Sequence, residues 1–165
     1  MKKELPIALS NRHLHLSKED IEKLFGEGYE LTRAKDLGQP GQYACEEKVD
    51  AVGPRGTIKG IRVLGPAREN TQVEVSFADA RSLGVDAVLR DSGDVEGTPG
   101  IKLVGPKGEV ELEKGVIAAA RHIHFSTEDA EKFAEEDKDI VKVRVGGERG
   151  LVFENVLAGV SPSYA

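Results

Sequence analysis

The sequence predicts a mainly β protein with short α-helices, and two kinds of internal repeat indicate this class. One repeat is a Gly-Pro-x-Gly turn between runs of β-forming residues, VGPRG at 52–56 and VGPKG at 104–108, with a looser copy, VGGERG, at 145–150. Such turns join the strands of hairpins. The other repeat is a short strand followed by a helix start signal. Many short strands with closely spaced turns favour a barrel or a sandwich.

The turns place the predicted hairpin strands. These are 49–52 with 57–64, 101–104 with 109–112, and 140–145 with 151–156. Residues 32–47 contain Gly38, Pro40 and Gly41 with few apolar residues. We expect them to form a loop, either a linker or a segment that contacts a ligand.

The strand and helix units are found at 12–17, 71–76 and 121–126, where the letters read RHLHLS, TQVEVS and RHIHFS. Polar and apolar residues alternate in each, so His13 and His15 share one face of a strand and Leu14 lies on the other. Each strand leads into Ser-x-x-Asp, in which Ser caps a helix and Asp lies near its positive end. Short helices are therefore predicted at 18–25, 77–83 and 127–136.

The four histidines of the chain all lie in equivalent positions of this repeat. They are His13 and His15 in the first copy and His122 and His124 in the last; the middle copy has Gln72 and Glu74 there. Two imidazoles on one face of a strand can bind one ion or neighbouring ions, and zinc prefers histidine and carboxylate ligands. The pattern favours a metal site. The alternative is a set of half-buried strand histidines whose ring nitrogens bond to the backbone.

Composition and length restrict the domain number, the binding partners and the cellular location that can be expected. A chain of 165 residues can form one domain or two small ones. Its net charge of −6 argues against binding to nucleic acid or a membrane surface. A single cysteine, Cys45, excludes an internal disulfide framework. No apolar run has transmembrane length or resembles a signal-peptide core, so we expect a cytoplasmic protein.

Three motifs taken together resemble the phosphate propanoyltransferase family: SNRHLHLS at 10–17, LGPARENTQVE at 64–74 and RHIHFS at 121–126. These are zinc-dependent phosphotransacylases associated with 1,2-propanediol degradation and related microcompartments. The resemblance implies interconversion of a short-chain acyl-CoA plus phosphate with an acyl phosphate plus CoA. It also implies two small β-barrels capped by helices, with residues 12–119 in a central barrel and residues 1–11 and 120–165 in an interleaved second one.

The resemblance further implies two Zn²⁺ ions per chain. His13 and His15 would bind one zinc, which keeps an open position. Glu74, His122 and His124 would bind the other, together with a histidine from the C-terminal segment.

The spacing of the repeat bears on that last histidine. Glu74 follows Gly56 by 18 positions and His124 follows Gly108 by 16, so the third copy would reach its ligand position at about 166–168. The sequence ends at Ala165, and we therefore expect the C-terminal segment to be incomplete. Family members packaged into microcompartments carry an N-terminal extension. Only 12 residues precede His13, so no such extension is expected.

Roles for polar residues also come from the resemblance. Arg68 matches the catalytic, phosphate-binding arginine; on composition alone it would be a solvated surface residue. Five residues fall where the family lines its substrate site: Arg12, Thr71, Gln72, Ser10 and Ser92. The expected partners are coenzyme A or acyl-CoA and phosphate, and a homodimer is left open.

The chemistry explains why these residue types are needed. Attack of phosphate on a thioester passes through a tetrahedral oxyanion and expels a thiolate, and zinc can polarise the carbonyl or bind the sulfur. Arginine offers paired donors to phosphate. We expect direct transfer without an acyl-enzyme, because no credible nucleophile accompanies the histidines.

Two other functions remain open at this point. A different small-barrel metalloenzyme, such as a hydrolase or a cupin-like dioxygenase, would use the same histidines without needing Arg68. A non-enzymatic module would hold structural zinc, which normally has four protein ligands on each ion.

Overall fold

The computed structural model describes residues 4–5, 7, 9–39, 41–162 and 164. Within them the chain is mainly β, with 42% strand and 14% helix, as predicted. The helices are α1 (Lys18–Phe25), α2 (Phe77–Leu83) and α3 (Thr127–Phe133). The strands are β1 (His13–His15), β2 (Arg33–Asp36), β3 (Tyr43–Val52), β4 (Thr57–Gly65), β5 (Gln72–Glu74), β6 (Val88–Arg90), β7 (Ile101–Val104), β8 (Glu109–Leu112), β9 (Val116–Ala119), β10 (His122–Phe125), β11 (Ile140–Val145) and β12 (Leu151–Val160).

Each helix begins after the serine that the sequence predicts as its N-cap. Ser17, Ser76 and Ser126 each accept a hydrogen bond from the backbone N–H of the aspartate three residues on. The predicted bounds of α1 and α2 are confirmed. The prediction for α3 was too long, because Ala134 adopts a left-handed conformation with φ 56° and ends the helix after Phe133.

The three predicted hairpins are confirmed as antiparallel pairs, β3 with β4, β7 with β8, and β11 with β12. The expectation of a loop at 32–47 was wrong for 33–36 and 43–47, which are strand, and is met by the described residues of 37–42. β2 pairs with the start of β3 in an antiparallel arrangement. All four residues of β2 are exposed and its sequence is RAKD, so it has no apolar alternation from which a strand could be predicted.

The Gly-Pro-x-Gly turns also pack against helix ends. The backbone N–H of Arg55, in the first turn, donates to the carbonyl of Leu83 at 3.0 Å, and that of Lys107, in the second, donates to Leu24 at 3.0 Å. These carbonyls lie at the C-termini of α2 and α1, where the helix leaves acceptors unsatisfied. Each hairpin turn therefore holds one helix in place.

Contacts divide the chain into two compact units. The larger comprises Leu9–Leu37 and Gly41–Ala119 and contains the sheet β6-β9-β5-β1-β4-β3-β7-β8, with β2 added on β3. The smaller includes the described residues from Ala120 onward and contains the sheet β10-β12-β11 and α3. The strand pairings of the described residues do not close either sheet into a ring, so the two barrels and their proposed limits stay predictions.

Each unit has its own core. In the larger unit the core is aliphatic, and Leu14, Leu16 and Val73 are fully buried in it. Because Leu14 faces this core, its neighbours His13 and His15 lie on the opposite face of β1. The core of the smaller unit is built around Phe125 and Ala158.

None of the three described helices has the length and apolar character needed to cross a membrane.

Candidate active site

Two adjacent strands of the larger unit bring polar side chains together. β1 runs antiparallel to β5, with His13 opposite Glu74 and His15 opposite Gln72. Ligand atoms of His13, His15 and Glu74 all lie within 4.8 Å of one another. The shared face predicted for the two histidines therefore carries a carboxylate as well.

His13 is held with one ring nitrogen turned towards Glu74. Its Nδ1 lies 2.8 Å from the carbonyl oxygen of Asn11, and since a carbonyl only accepts, Nδ1 carries the proton. Its Nε2 lies 3.4 Å from Oε2 of Glu74. Burial alone would lower the pKa of His13, but the hydrogen bond and charge of Glu74 outweigh it and the pKa is raised. The contact is satisfied by a proton on Nε2 or by a metal ion in its place.

His15 is buried and neutral. Burial, with Arg68 and His13 nearby, lowers the pKa of His15 to about 3. Its Nδ1 is buried and has no hydrogen-bond partner among the described residues. Such atoms are rare in folded proteins unless a ligand or ion satisfies them.

Glu74 is fixed by neighbours on its own side of the sheet. Its Oε1 accepts hydrogen bonds from Nε2 of Gln72 at 2.7 Å and from the hydroxyl of Ser92 at 3.2 Å. Burial would raise the pKa of Glu74, but the bond from His13 and the nearby charges lower it to about 2. The carboxylate is therefore ionised at neutral pH and leaves Oε2 directed at His13.

Arg68 lies beside this cluster. Its backbone N–H donates to the carbonyl of Leu16 at 2.9 Å, which ties it to the end of β1. Its Nη1 donates to the Ser92 hydroxyl at 3.1 Å, so Ser92 connects Arg68 with Glu74. Burial lowers the pKa of the Arg68 guanidinium, while the Glu74 carboxylate acts in the opposite direction. The side chain is half-buried and forms no ion pair within the described part of the chain.

Two of the remaining candidates are bound to helix caps. Arg12 makes two contacts with Asp79 of α2, Nε to Oδ2 at 3.1 Å and Nη2 to Oδ1 at 2.9 Å. Thr71 accepts from the backbone N–H of Ser17 at 2.9 Å and donates to Asp20 of α1. Their expected place in the substrate site stays a prediction.

Ser10 is exposed and belongs to the larger unit, just ahead of β1. Its expected role in binding substrate also stays a prediction.

The second histidine pair lies on β10, in the smaller unit, and repeats the geometry of the first. Nδ1 of His122 lies 2.8 Å from the carbonyl oxygen of Ala120, just as His13 bonds to Asn11. Both ring nitrogens of His124 are buried without a hydrogen-bond partner among the described residues. Burial and the neighbouring His122 lower the pKa of His124.

The donor sets fit zinc. Zn–N and Zn–O bonds of about 2 Å place tetrahedral ligands roughly 3.3 Å apart, close to the 3.4 Å between His13 and Glu74. Metal-bound histidine normally donates its other ring N–H to a carbonyl, as His13 and His122 do. The resemblance grouped Glu74 with His122 and His124. That grouping stays a prediction; within the larger unit Glu74 lies beside His13 and His15 and could serve as a ligand with them.

Sequence reasoning did not identify the groups that orient these side chains. The carbonyl of Asn11 and the N–H of Gly93, which donates to Gln72, are backbone atoms without a sequence signal. Asp20 and Asp79 were predicted from the Ser-x-x-Asp pattern, but only as helix-capping residues.

A histidine–carboxylate cluster beside a half-buried arginine is an arrangement typical of enzyme sites that bind anions. A sequence profile described as phosphate propanoyltransferase matches residues 6–165. The chain therefore belongs to the phosphate propanoyltransferase family, as its motifs predicted, and is an acyltransferase. This sets aside the non-enzymatic alternative.

Individual relatives agree with this assignment. Phosphate propanoyltransferase of Thermotoga maritima is 58% identical over 160 residues, which are 96% of this chain and 76% of the relative. That of Clostridioides difficile is 54% identical over 99% of this chain and 79% of its own length. That of Salmonella typhimurium is 52% identical over 96% of this chain and 75% of its own length.

Proposed function

We propose that the chain transfers a short acyl group, such as propanoyl, between coenzyme A and phosphate in a zinc-assisted reaction. The observation that carries the proposal is the cluster of His13, His15 and Glu74, in which a buried nitrogen of His15 has no hydrogen-bond partner among the described residues. The names of the relatives supply the acyl group and phosphate; coenzyme A follows from the resemblance. The two-barrel arrangement belongs to the same proposal.

In this proposal His13, His15 and Glu74 hold one zinc ion and leave a position open. Zinc bound there supplies polarisation of the thioester carbonyl and stabilisation of the thiolate that leaves. The carbonyl of Asn11 holds His13 in the tautomer that frees Nε2. His122 and His124 would hold a second ion.

Arg68 binds the phosphate. Its guanidinium offers donors to two phosphate oxygens, and the hydroxyl of Ser92 orients it. A phosphate oxygen forms the bond to the carbonyl carbon, the carbon–sulfur bond breaks, and the sulfur leaves as a thiolate. The reverse reaction runs through the same groups.

Direct transfer agrees with the environment of the one cysteine. Cys45 is fully buried, and burial raises the pKa of its thiol to about 11. A thiol of this kind is not a nucleophile at neutral pH. In the proposed reaction phosphate itself is the attacking group.

Release of free thiol from propanoyl-CoA, with and without phosphate, tests the proposal. We expect release only with phosphate, together with an acyl phosphate that hydroxylamine traps, and loss of both after chelation. Release that does not need phosphate would indicate the hydrolase alternative, and full transfer after complete removal of metal would refute the zinc requirement.

A further inference from the structure

Gln72 has an environment that differs from that of a substrate-lining residue. It is only 1% exposed, so a substrate has almost no access to it. Its Nε2 donates to Oε1 of Glu74 at 2.7 Å and to the hydroxyl of Ser92 at 3.1 Å, and its Oε1 accepts from the backbone N–H of Gly93 at 2.7 Å. Both ends of the amide are therefore bonded to groups of the protein.

The orientation of this amide follows from its partners. The Glu74 carboxylate only accepts hydrogen bonds and the Gly93 N–H only donates. The amide nitrogen therefore faces Glu74 and the amide oxygen faces Gly93, since the opposite orientation would break both bonds.

The repeat shows what has changed at this position. Gln72 occupies the slot of His13 and His122, each of which bonds through Nδ1 to a backbone carbonyl and keeps Nε2 for a metal. An amide nitrogen has no lone pair to offer a metal, and the amide oxygen of Gln72 faces the backbone N–H of Gly93. In the middle copy, Gln72 therefore supports Glu74, and Glu74 alone is the metal ligand of this copy.

The same amide reaches the arginine. The Ser92 hydroxyl accepts from Gln72 and from Nη1 of Arg68, and donates to Glu74. The side chain of Gln72 also fixes Gly93, the residue after Ser92, by accepting a hydrogen bond from its backbone N–H. One buried side chain thus sets the position of the Glu74 carboxylate and of the turn that orients Arg68.

We infer that Gln72 is a positioning residue that joins the metal ligand Glu74 to the Ser92–Gly93 turn, and so couples the metal site to the phosphate-binding arginine. The inference rests on the proposed function of this site. The resemblance implies that Gln72 contacts the substrate directly; the positioning role is proposed in place of that contact.

Gln72→Met tests the inference, because methionine has a similar length and offers no hydrogen bond to Glu74 or Gly93. Groups that support a metal ligand typically contribute ten- to hundredfold in metal affinity. We expect zinc to bind about tenfold or more weakly, measured by competition with a chelator in the His124→Ala background, where the second pair is disabled. We also expect the KM for phosphate to rise about tenfold in the otherwise wild-type chain.

Gln72→Glu is the second variant and keeps the size of the side chain. A carboxylate at this position still accepts from Gly93 but repels Glu74, so zinc binding should weaken by a similar factor. Glu47→Gln is the matched stability control. Glu47 is a buried polar residue of the same unit that accepts from Tyr29 at 2.9 Å and from the backbone of Thr32 at 3.0 Å, and bonds to no site residue.

Weaker zinc binding in both Gln72 variants, with a raised phosphate KM and no such change in Glu47→Gln, supports the positioning role. A raised KM with wild-type zinc affinity would show that Gln72 contacts substrate, and would overturn it. Loss of thermal stability alone, as in the control, would also overturn it. If the His124→Ala chain with an intact Gln72 binds no zinc, the proposed metal site itself fails, and that result needs no Gln72 variant.

Discussion

His15 is the residue on which the metal assignment depends most. Its neutral imidazole has a buried nitrogen without a hydrogen-bond partner in the described part of the chain, while its neighbour His13 already bonds to Asn11 and faces Glu74. The alternation of polar and apolar residues predicted that the two histidines share a face. It could not predict the nearby groups, because Glu74 is far away in sequence and the Asn11 contact is made by a backbone atom.

Arg68 carries the first prediction at this scale. Arg68→Ala should raise the KM for phosphate and lower kcat/KM by roughly a hundredfold, since a charge-assisted contact is lost. Zinc content should stay near that of the wild-type chain, because Arg68 is not a ligand. Arg68→Lys is the control, because it keeps the charge but loses the paired donors. Its kcat/KM should lie between those of the wild type and Arg68→Ala. Steady-state kinetics with phosphate varied measure this, and unchanged phosphate dependence in Arg68→Ala would exclude the assigned role.

Helices and hairpins are the next scale, and both Gly-Pro-x-Gly turns pack against a helix end. The sequence predicted the turns and the N-caps because both depend on local patterns. It did not predict that the turn at Arg55 packs on α2 and the turn at Lys107 on α1, since these contacts join distant parts of the chain. The exposed strand β2 was missed for lack of an apolar pattern.

Gly53 tests this packing. A Cβ at Gly53 would collide with the carbonyl oxygen of Leu83, so Gly53→Ala should destabilise the protein by about 2–3 kcal/mol. Gly146 holds the equivalent place in the third hairpin, and a Cβ there meets no described atom within 4 Å. Gly146→Ala should therefore leave the free energy of unfolding nearly unchanged. Denaturant unfolding of both variants gives the comparison, and an equal effect of the two would contradict the proposed packing.

At the scale of the molecule, the sequence predicted the class, the repeated units and the family, and all three are confirmed. These predictions were possible because repeats and motifs are local patterns that can be recognised in the sequence alone. The closure of the sheets into barrels and the full ligand set of each zinc depend on how distant segments meet, and they stay predictions. The two histidine pairs lie in different units, yet in each pair the first histidine bonds through Nδ1 to a backbone carbonyl.

The most direct test of the zinc assignment is the zinc content of the purified chain, measured by elemental analysis on wild type, His15→Ala and His124→Ala. We predict that each variant loses one ion and keeps the other, and that the wild type melts at a lower temperature after chelation, since bound metal stabilises the folded state. Only the ion held by His13, His15 and Glu74 has the proposed catalytic position, so His15→Ala should remain folded but lose phosphate-dependent transfer. A His15→Ala protein with wild-type zinc content and wild-type transfer would contradict the assignment.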